Sequence, residues 1–298
     1  MRYAKLLFAF LLVLFLAPFA HAKDVEVGVY VLNLGKFDVT AGTFTADFYI
    51  DFKCDSNCSP EGFEFINGRA TSMDKIIDAP DEKFYRIQAA LNSPMDLKKF
   101  PFDSQKIGFI IEDKSKTSKE IRYLASPFNS ALDDEVFIPG WDITGWNVST
   151  RKHNYGLYNE TYSQFIFNID ISRFAISSFL KTFLPVMFII LIVLFSFIMD
   201  PDKLTTRIGM VGTALVASVM FHVSISNQIP SVGYLTFADK FMILTYFVLL
   251  ASFILNIVML EFTEQKKQKL VEKIHHYTEF SMFIVVPVLY ILLFLIFL

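Results

Sequence analysis

Cysteine is nearly absent from this chain, which carries only Cys54 and Cys58 in 298 residues. So sparse a pair excludes a multi-bridge disulfide scaffold. The C-x-x-x-C spacing leaves either one bridge closing a tight loop, which an oxidising compartment favours, or part of a metal site, for which no histidine lies nearby. Nothing matches a nucleophile elbow, a phosphate-binding loop or a metal-ligand cluster. No catalytic constellation, metal ligand set or cofactor site is expected, and the chain does not read as an enzyme. Cations are outnumbered, with 27 Lys and Arg against 30 Asp and Glu, and they form no basic stripe, so nucleic acid is not expected as a partner. Tryptophan occurs twice, as Trp141 and Trp146. Internal repeats and low-complexity linkers are lacking too.

Apolar residues are what the chain has in plenty. They make up 53% of it and include 34 Phe, and the mean hydropathy is positive, which points to an integral membrane protein. Arg2 and Lys5 precede an apolar run from Leu6 to Phe19 and then Ala20-His21-Ala22, the pattern of a signal peptide over 1–22. Loss of those two cations takes the formal charge from −3 to −5. Four spans are expected at 179–199, 208–225, 241–260 and 280–298, each roughly 18 to 21 residues, the length a bilayer requires. Apart from Lys181 they lack internal charge. If the N-terminal region is exported, the connections holding Lys203, Arg207, Lys266, Lys267, Lys269 and Lys273 are cytoplasmic, as the positive-inside rule demands.

The second span has a face ill suited to lipid. At 100° per residue, Thr205, Gly209, Thr213, Val216, Met220, Val223 and Asn227 fall within about 40° of one line. Hydroxyls, glycine and asparagine on one stripe suit a water-filled path, and the apolar Val216, Met220 and Val223 could block ions by excluding water from a constriction. One helix encloses no lumen, so this reading requires an oligomer. Small and hydroxylated residues equally serve a tightly packed bundle helix. Asp200-Pro201-Asp202 has the form of a helix start. If the helix begins there, Asp202 falls on the same line and repeated copies form an anionic ring that concentrates cations. The alternative role for both aspartates is to stabilise the helix N-terminus. Arg207 projects roughly 160° from the line, towards neighbouring protein. Ser218 and His222, at i and i+4 on the far face, suit an interhelical hydrogen-bonding pair or a proton sensor.

Residues 23–175 carry strand signals. Val25, Val27, Val29 and Val31 alternate with other residues, as do Phe44, Ala46, Phe48, Ile50 and Phe52. Asp38 to Gly42 has turn character between them. Further strands are expected over 83–91, 105–112, 119–124, 141–150 and 161–172, a spacing that suggests a β-sandwich.

Ser93-Pro94-Met95-Asp96-Leu97-Lys98-Lys99-Phe100-Pro101-Phe102-Asp103-Ser104-Gln105-Lys106-Ile107 closely resembles the signature loop of the pentameric ligand-gated ion channels, the Cys-loop receptor superfamily. In that loop a Phe-Pro-x-Asp core sits between two cysteines. Ser93 and Ile107 occupy the cysteine positions, as in prokaryotic members without the bridge. Gly140-Trp141-Asp142, Arg173 before the first span, Pro185 inside it and Pro230 in the link between the second and third spans follow in the family's order. The resemblance covers residues 25–298. It implies an all-β periplasmic sandwich over a four-helix transmembrane bundle at 176–298, assembled as a homopentamer in a bacterial inner membrane. Its implied partners are membrane lipids, permeating inorganic ions and an agonist that is a small molecule or a proton. The resemblance also implies a junction at which Asp103, Phe102, Arg173, Pro230 and Asp38 couple the sandwich to the pore, with Asp103 and Arg173 as a buried ion pair. Pro185 leaves the first helix bendable.

The ligand side departs from the family. The stretch carrying its Trp-x-Pro segment is replaced here by Phe52 to Glu61, so the aromatic cage is incomplete. Candidate wall residues are Tyr155 and Tyr158 in a capping loop, Tyr123, and Tyr85 with Arg86 on the strand facing from a neighbouring subunit. A cage of tyrosines suits a cationic amine and Arg86 a carboxylate. The expected activity is a ligand-gated channel lined by the second span, with a lean towards cations from Asp202; Gly209 and Thr213 after a basic residue also resemble anion-selective relatives. The alternative is a membrane-anchored binding or sensor protein whose bundle is sealed.

Overall fold

Alternation of buried and exposed residues, clearest in β2 (Thr43–Lys53) and β5 (Glu82–Asn92), builds the first half of the chain. The computed structural model describes residues 22–55 and 60–298; the signal-peptide reading at 1–22 falls almost wholly outside them. The strands are β1 (Lys23–Asp38), β2 (Thr43–Lys53), β3 (Phe63–Phe65), β4 (Gly68–Asp78), β5 (Glu82–Asn92), β6 (Ser104–Asp113), β7 (Ile121–Ala125), β8 (Ala131–Leu132), β9 (Trp141–Tyr155) and β10 (Glu160–Arg173). One sheet runs β4-β5-β2-β1-β7 with β8 paired to β1, and the other runs β3-β6-β10-β9. The turn between β1 and β2 uses Gly42 at φ +65, and the Asp38 carboxylate accepts the Ala41 N–H at 3.1 Å. Cys54 is disulfide-bonded; Cys58, the chain's only other cysteine, lies outside the described residues.

Inward-facing rings join the two sheets. Phe48 of β2 stacks on Phe109 of β6 at 4.5 Å, Phe109 on Phe167 of β10 at 5.1 Å, and Phe167 on Trp146 of β9 at 5.6 Å. The valines of β1 lie beside this column with at most 1% exposure. Strand β4 is, with the short β3 and β8, absent from the periodicity reading, and it is the longest of the three. It pairs only with β5, and apart from the partly covered Gly68 and Ala70 its residues are exposed. An edge strand with no buried face has no alternation to read.

Among the described residues, four helices are long and apolar enough to cross a membrane. They are α1 (Ala175–Ser196), α2 (Leu204–Ser226), preceded by a 3-10 turn at Pro201–Lys203, α3 (Phe237–Glu264) and α4 (Gln268–Phe297). Each starts at least four residues before its expected apolar span, because polar ends extend the helix beyond the hydrocarbon stretch. At α3 the cause is a capping box: the Thr236 hydroxyl accepts the Asp239 N–H at 3.2 Å, and Asp239 accepts the Thr236 N–H at 2.8 Å. Pro185 and Pro287 sit inside α1 and α4. A second core of helix residues includes Leu97 and Phe100 from the loop between β5 and β6, and Val39 and Met95 touch both cores.

Phe109 is fully buried between two stacked rings. Phe109→Ala is expected to cost about 3–5 kcal/mol through lost burial and an unfilled cavity. A thermal melt of the solubilised protein should show a clear drop in midpoint, and an unshifted midpoint would contradict the central role of this column.

Candidate functional site: the domain junction and the exposed face of α2

Antiparallel pairing of β6 with β10 brings Ser104 opposite Ser172, which sets Asp103 beside Arg173 at the end of the sheet, two residues before α1 begins. Arg173 Nε donates to Asp103 Oδ1 at 2.6 Å, and the Arg173 N–H donates to the Asp103 carbonyl at 3.3 Å. Asp103 is only 2% exposed, and its second oxygen accepts Gln105 Nε2 at 2.6 Å. The guanidinium lies 4.3 Å from the Trp141 ring centre and 5.0 Å from that of Phe100. Two aromatic faces and a carboxylate therefore replace the water removed from this cation. Asp38 takes no part: its carboxylate contacts Lys36 at 3.8 Å and the Ala41 N–H, as a turn-closing residue does.

The loop carrying Asp103 is fastened to the helices by backbone bonds. The first N–H groups of α3, which no helical carbonyl can satisfy, find partners in it: Phe237 donates to the Lys98 carbonyl at 2.9 Å and Ala238 to the Phe100 carbonyl at 3.0 Å. The Leu97 N–H donates to the Tyr234 hydroxyl at 2.9 Å, so the link that contains Pro230 meets the loop through Tyr234 and Phe237. The Phe102 ring lies 5.8 Å from both Phe183 and Phe237 and 6.3 Å from Phe294, ring centre to ring centre. Gln105, Leu97, Phe100 and Tyr234 were not foreseen as site residues. Sequence periodicity carries no signal for residues whose partners lie on other elements.

Asp202, Thr205, Gly209, Thr213, Val216, Met220, Val223 and Asn227 are all exposed, while Arg207, Val211, Ala214, Ser218 and Ile225 on the other face are buried. Arg207 is fully buried, 4.8 Å from the Phe197 ring centre and 3.4 Å from His275 Nδ1. Ser218 donates to the Leu215 carbonyl of its own helix. His222 reaches across to α3, with Nδ1 2.9 Å from the Tyr246 hydroxyl and Nε2 3.1 Å from Asp239. Asp239 was missed, although Thr236-x-x-Asp239 is a capping signature visible in sequence.

The candidate ligand residues do not converge. Tyr85 and Tyr123, at 3% and 1% exposure, are core residues of the sandwich. Successive residues of a strand face opposite ways, so Arg86 points outward where Tyr85 points in. Arg86 donates to both oxygens of Asp47, at 3.2 and 2.9 Å, and this holds the Asp47 carboxyl below the usual carboxylate range despite some burial. Tyr158 is 70% exposed. Tyr155 lies 5.6 Å from Tyr162 and 4.5 Å from His153, ring centre to ring centre; burial, followed by a hydrogen bond to Glu112, raises its phenol pKa. Among the described residues, no group of three or more His, Cys, Asp or Glu could hold a metal ion.

No family model matches the chain. It is 25% identical over 183 residues to a proton-gated ion channel of Gloeobacter violaceus, a match covering 60% of this chain and 50% of that protein. It is 24% identical over 193 residues to 5-hydroxytryptamine receptor 3B of Homo sapiens, covering 63% and 43%. It is 26% identical over 172 residues to pH-sensitive chloride channel 2 of Drosophila melanogaster, covering 55% and 33%. The chain thus spans half or less of the length of these relatives. It is a homologue of the pentameric ligand-gated ion channels, and the sandwich followed by four apolar helices fits that class. It is a multi-pass membrane protein, and its relatives are channels and receptors rather than enzymes.

Removing one charge of the Asp103–Arg173 pair strands the other in a desolvated place, at a cost of roughly 3–5 kcal/mol. Asp103→Asn and Arg173→Gln should each lower the melting midpoint. The double variant should fall short of the sum of the two losses by about 0.5–3 kcal/mol, the range for groups in direct contact. Strict additivity would show that the two side chains are not energetically coupled.

Proposed function

We propose that the chain is a subunit of a homopentameric ligand-gated ion channel, with 23–175 as its ligand-side domain and 176–298 as its membrane domain. The observation that carries this reading is the stripe on α2: Thr205, Gly209, Thr213 and Asn227 stay exposed on a helix whose opposite face is buried. Polar groups left uncovered at membrane depth require water or a protein neighbour, and five copies around an axis would supply both. Val216, Met220 and Val223, 61%, 70% and 56% exposed, would form the hydrophobic gate. Asp202 would form an anionic ring at the mouth remote from the sandwich, so the pore leans towards cations. The relatives include both the proton-gated channel and the chloride channel named above, so similarity by itself favours neither sign.

In this reading agonist-driven movement of the sandwich passes through Asp103, Phe102 and Arg173 to the link at Pro230 and on to α2. The pattern at the N-terminus and the lysines at 266–273 support a bacterial inner membrane with the sandwich on the periplasmic side. A second reading, a sealed membrane-anchored sensor, draws support from the burial of Tyr85 and Tyr123 and from the engagement of Arg86 by Asp47. The agonist is a small molecule or a proton.

Particle images of the solubilised protein should show a five-fold ring with 208–225 on the axis. In liposomes screened for flux across pH, amines and amino acids, Val216→Ser should wet the constriction and raise resting flux. Thr213→Cys should react with a water-soluble thiol reagent when the channel is open. A stable monomer, or flux that is absent under every condition, would leave the sealed sensor as the answer.

A further inference from the structure

Three successive residues at the start of α3 reach two other elements. The Phe237 and Ala238 N–H groups donate to the Lys98 and Phe100 carbonyls of the loop between β5 and β6, at 2.9 and 3.0 Å. Asp239 follows them, and its carboxylate divides its two oxygens between elements. Oδ2 accepts the Thr236 N–H and hydroxyl, both at 2.8 Å, and so completes the cap of α3. That task needs only one oxygen. Oδ1 is left for α2, where His222 Nε2 lies 3.1 Å away.

The contact does not depend on one charge state of the imidazole. An ionised Asp239 can only accept, so Nε2 carries a proton, while Nδ1 faces the Tyr246 hydroxyl at 2.9 Å, a group able to donate or to accept. Tyr246 lies on α3 as well, about two turns beyond Asp239, so both ring nitrogens are held by the same helix. Thr236, Phe237 and Ala238 are fully buried, and the His222 and Asp239 side chains are 22% and 20% exposed. Water therefore competes weakly for these bonds, and a charged acceptor in such a place holds its donor more firmly than a neutral one.

We infer that Asp239 is a positioning residue that fastens α2 directly to the loop at 97–103, in parallel with the covalent link at 227–236. A displacement of the loop shifts the first turn of α3 through the Phe237 and Ala238 N–H groups, and the same turn carries Asp239 and, with it, His222. Val223 of the proposed constriction follows His222 in the chain. At its other end the loop is bound through Asp103 to Arg173, just before α1, so one chain of contacts joins the first three helices. Its role in gating rests on the channel reading, whereas the linkage itself is independent of conduction.

Hydrogen exchange read by mass spectrometry on the full chain in mild detergent tests the linkage without any flux. In the wild type the segments 97–103 and 236–240 should both be protected. H222L should speed exchange in both by about tenfold, the order expected for one lost hydrogen bond to a charged group. H222Q, which keeps a donor, should retain wild-type protection. So should T245V, which removes a different interhelical bond, that of Thr245 to Tyr290 at 2.8 Å. H222M, whose flexible chain fills the same space, replaces H222L if the leucine variant does not assemble. Faster exchange that stops at 236–240 and leaves 97–103 unchanged would overturn the proposal. Equal loosening in T245V, which would mean general destabilisation, or a failure of H222Q to restore protection would do the same. Linked exchange in a chain that passes no ions would count against the channel and leave the linkage standing; flux with unlinked segments would do the reverse.

Discussion

Asp103 and Arg173 meet where the sandwich ends and the first helix starts, and the junction is organised around them. A buried ion pair is costly to form because both charges lose water. It persists here because Gln105 satisfies the second carboxylate oxygen and because Trp141 and Phe100 cover the guanidinium. The same loop lends its Lys98 and Phe100 carbonyls to the first N–H groups of α3. Displacement of the loop would therefore disturb the ion pair, the cap of α3 and the Phe102 cluster together. Such simultaneous dependence means that these contacts hold or yield together, since a close-packed junction transmits strain.

The helical bundle shows a parallel economy of polar contacts. Arg207 is buried against Phe197 and near His275. His222 ties α2 to α3 through Asp239 and Tyr246, and Asp239 also caps α3. Ser218 and His222 on the protein-facing side of α2 thus have partners in their own backbone or on α3, and Arg207 meets His275 through Nη1 alone. Polar groups on the opposite face, Thr205 and Asn227 among them, are left exposed. α4 is the least covered of the four helices in its apolar window.

Much of the architecture was legible from residue order. Alternation in β1 and β2 marked both strands, long apolar runs marked the four helices, and the loop at 93–107 marked the relationship to ligand-gated channels. Those signals are local: period 2, period 3.6, the length of a bilayer, a contiguous motif. Two ligand-side readings fared differently. Tyr85 and Arg86 do not form one wall, because adjacent strand residues face opposite sides, and Tyr123 is buried with its ring 6.0 Å from that of Phe52.

By itself the sequence determined the succession of strands and helices and the stripe on α2, because each follows from spacing along one chain; the pairing of Asp103 with Arg173 was implied by the resemblance and is set by the register of β6 on β10. Only the tertiary structure decided that Asp38 closes its own turn, that Arg86 is engaged by Asp47, that His222 reaches α3 and that Phe102 enters a cluster of three other rings. Such facts depend on which elements come into contact and in what register. Contact across elements is set by the combined packing of both cores, which no single stretch of residues encodes.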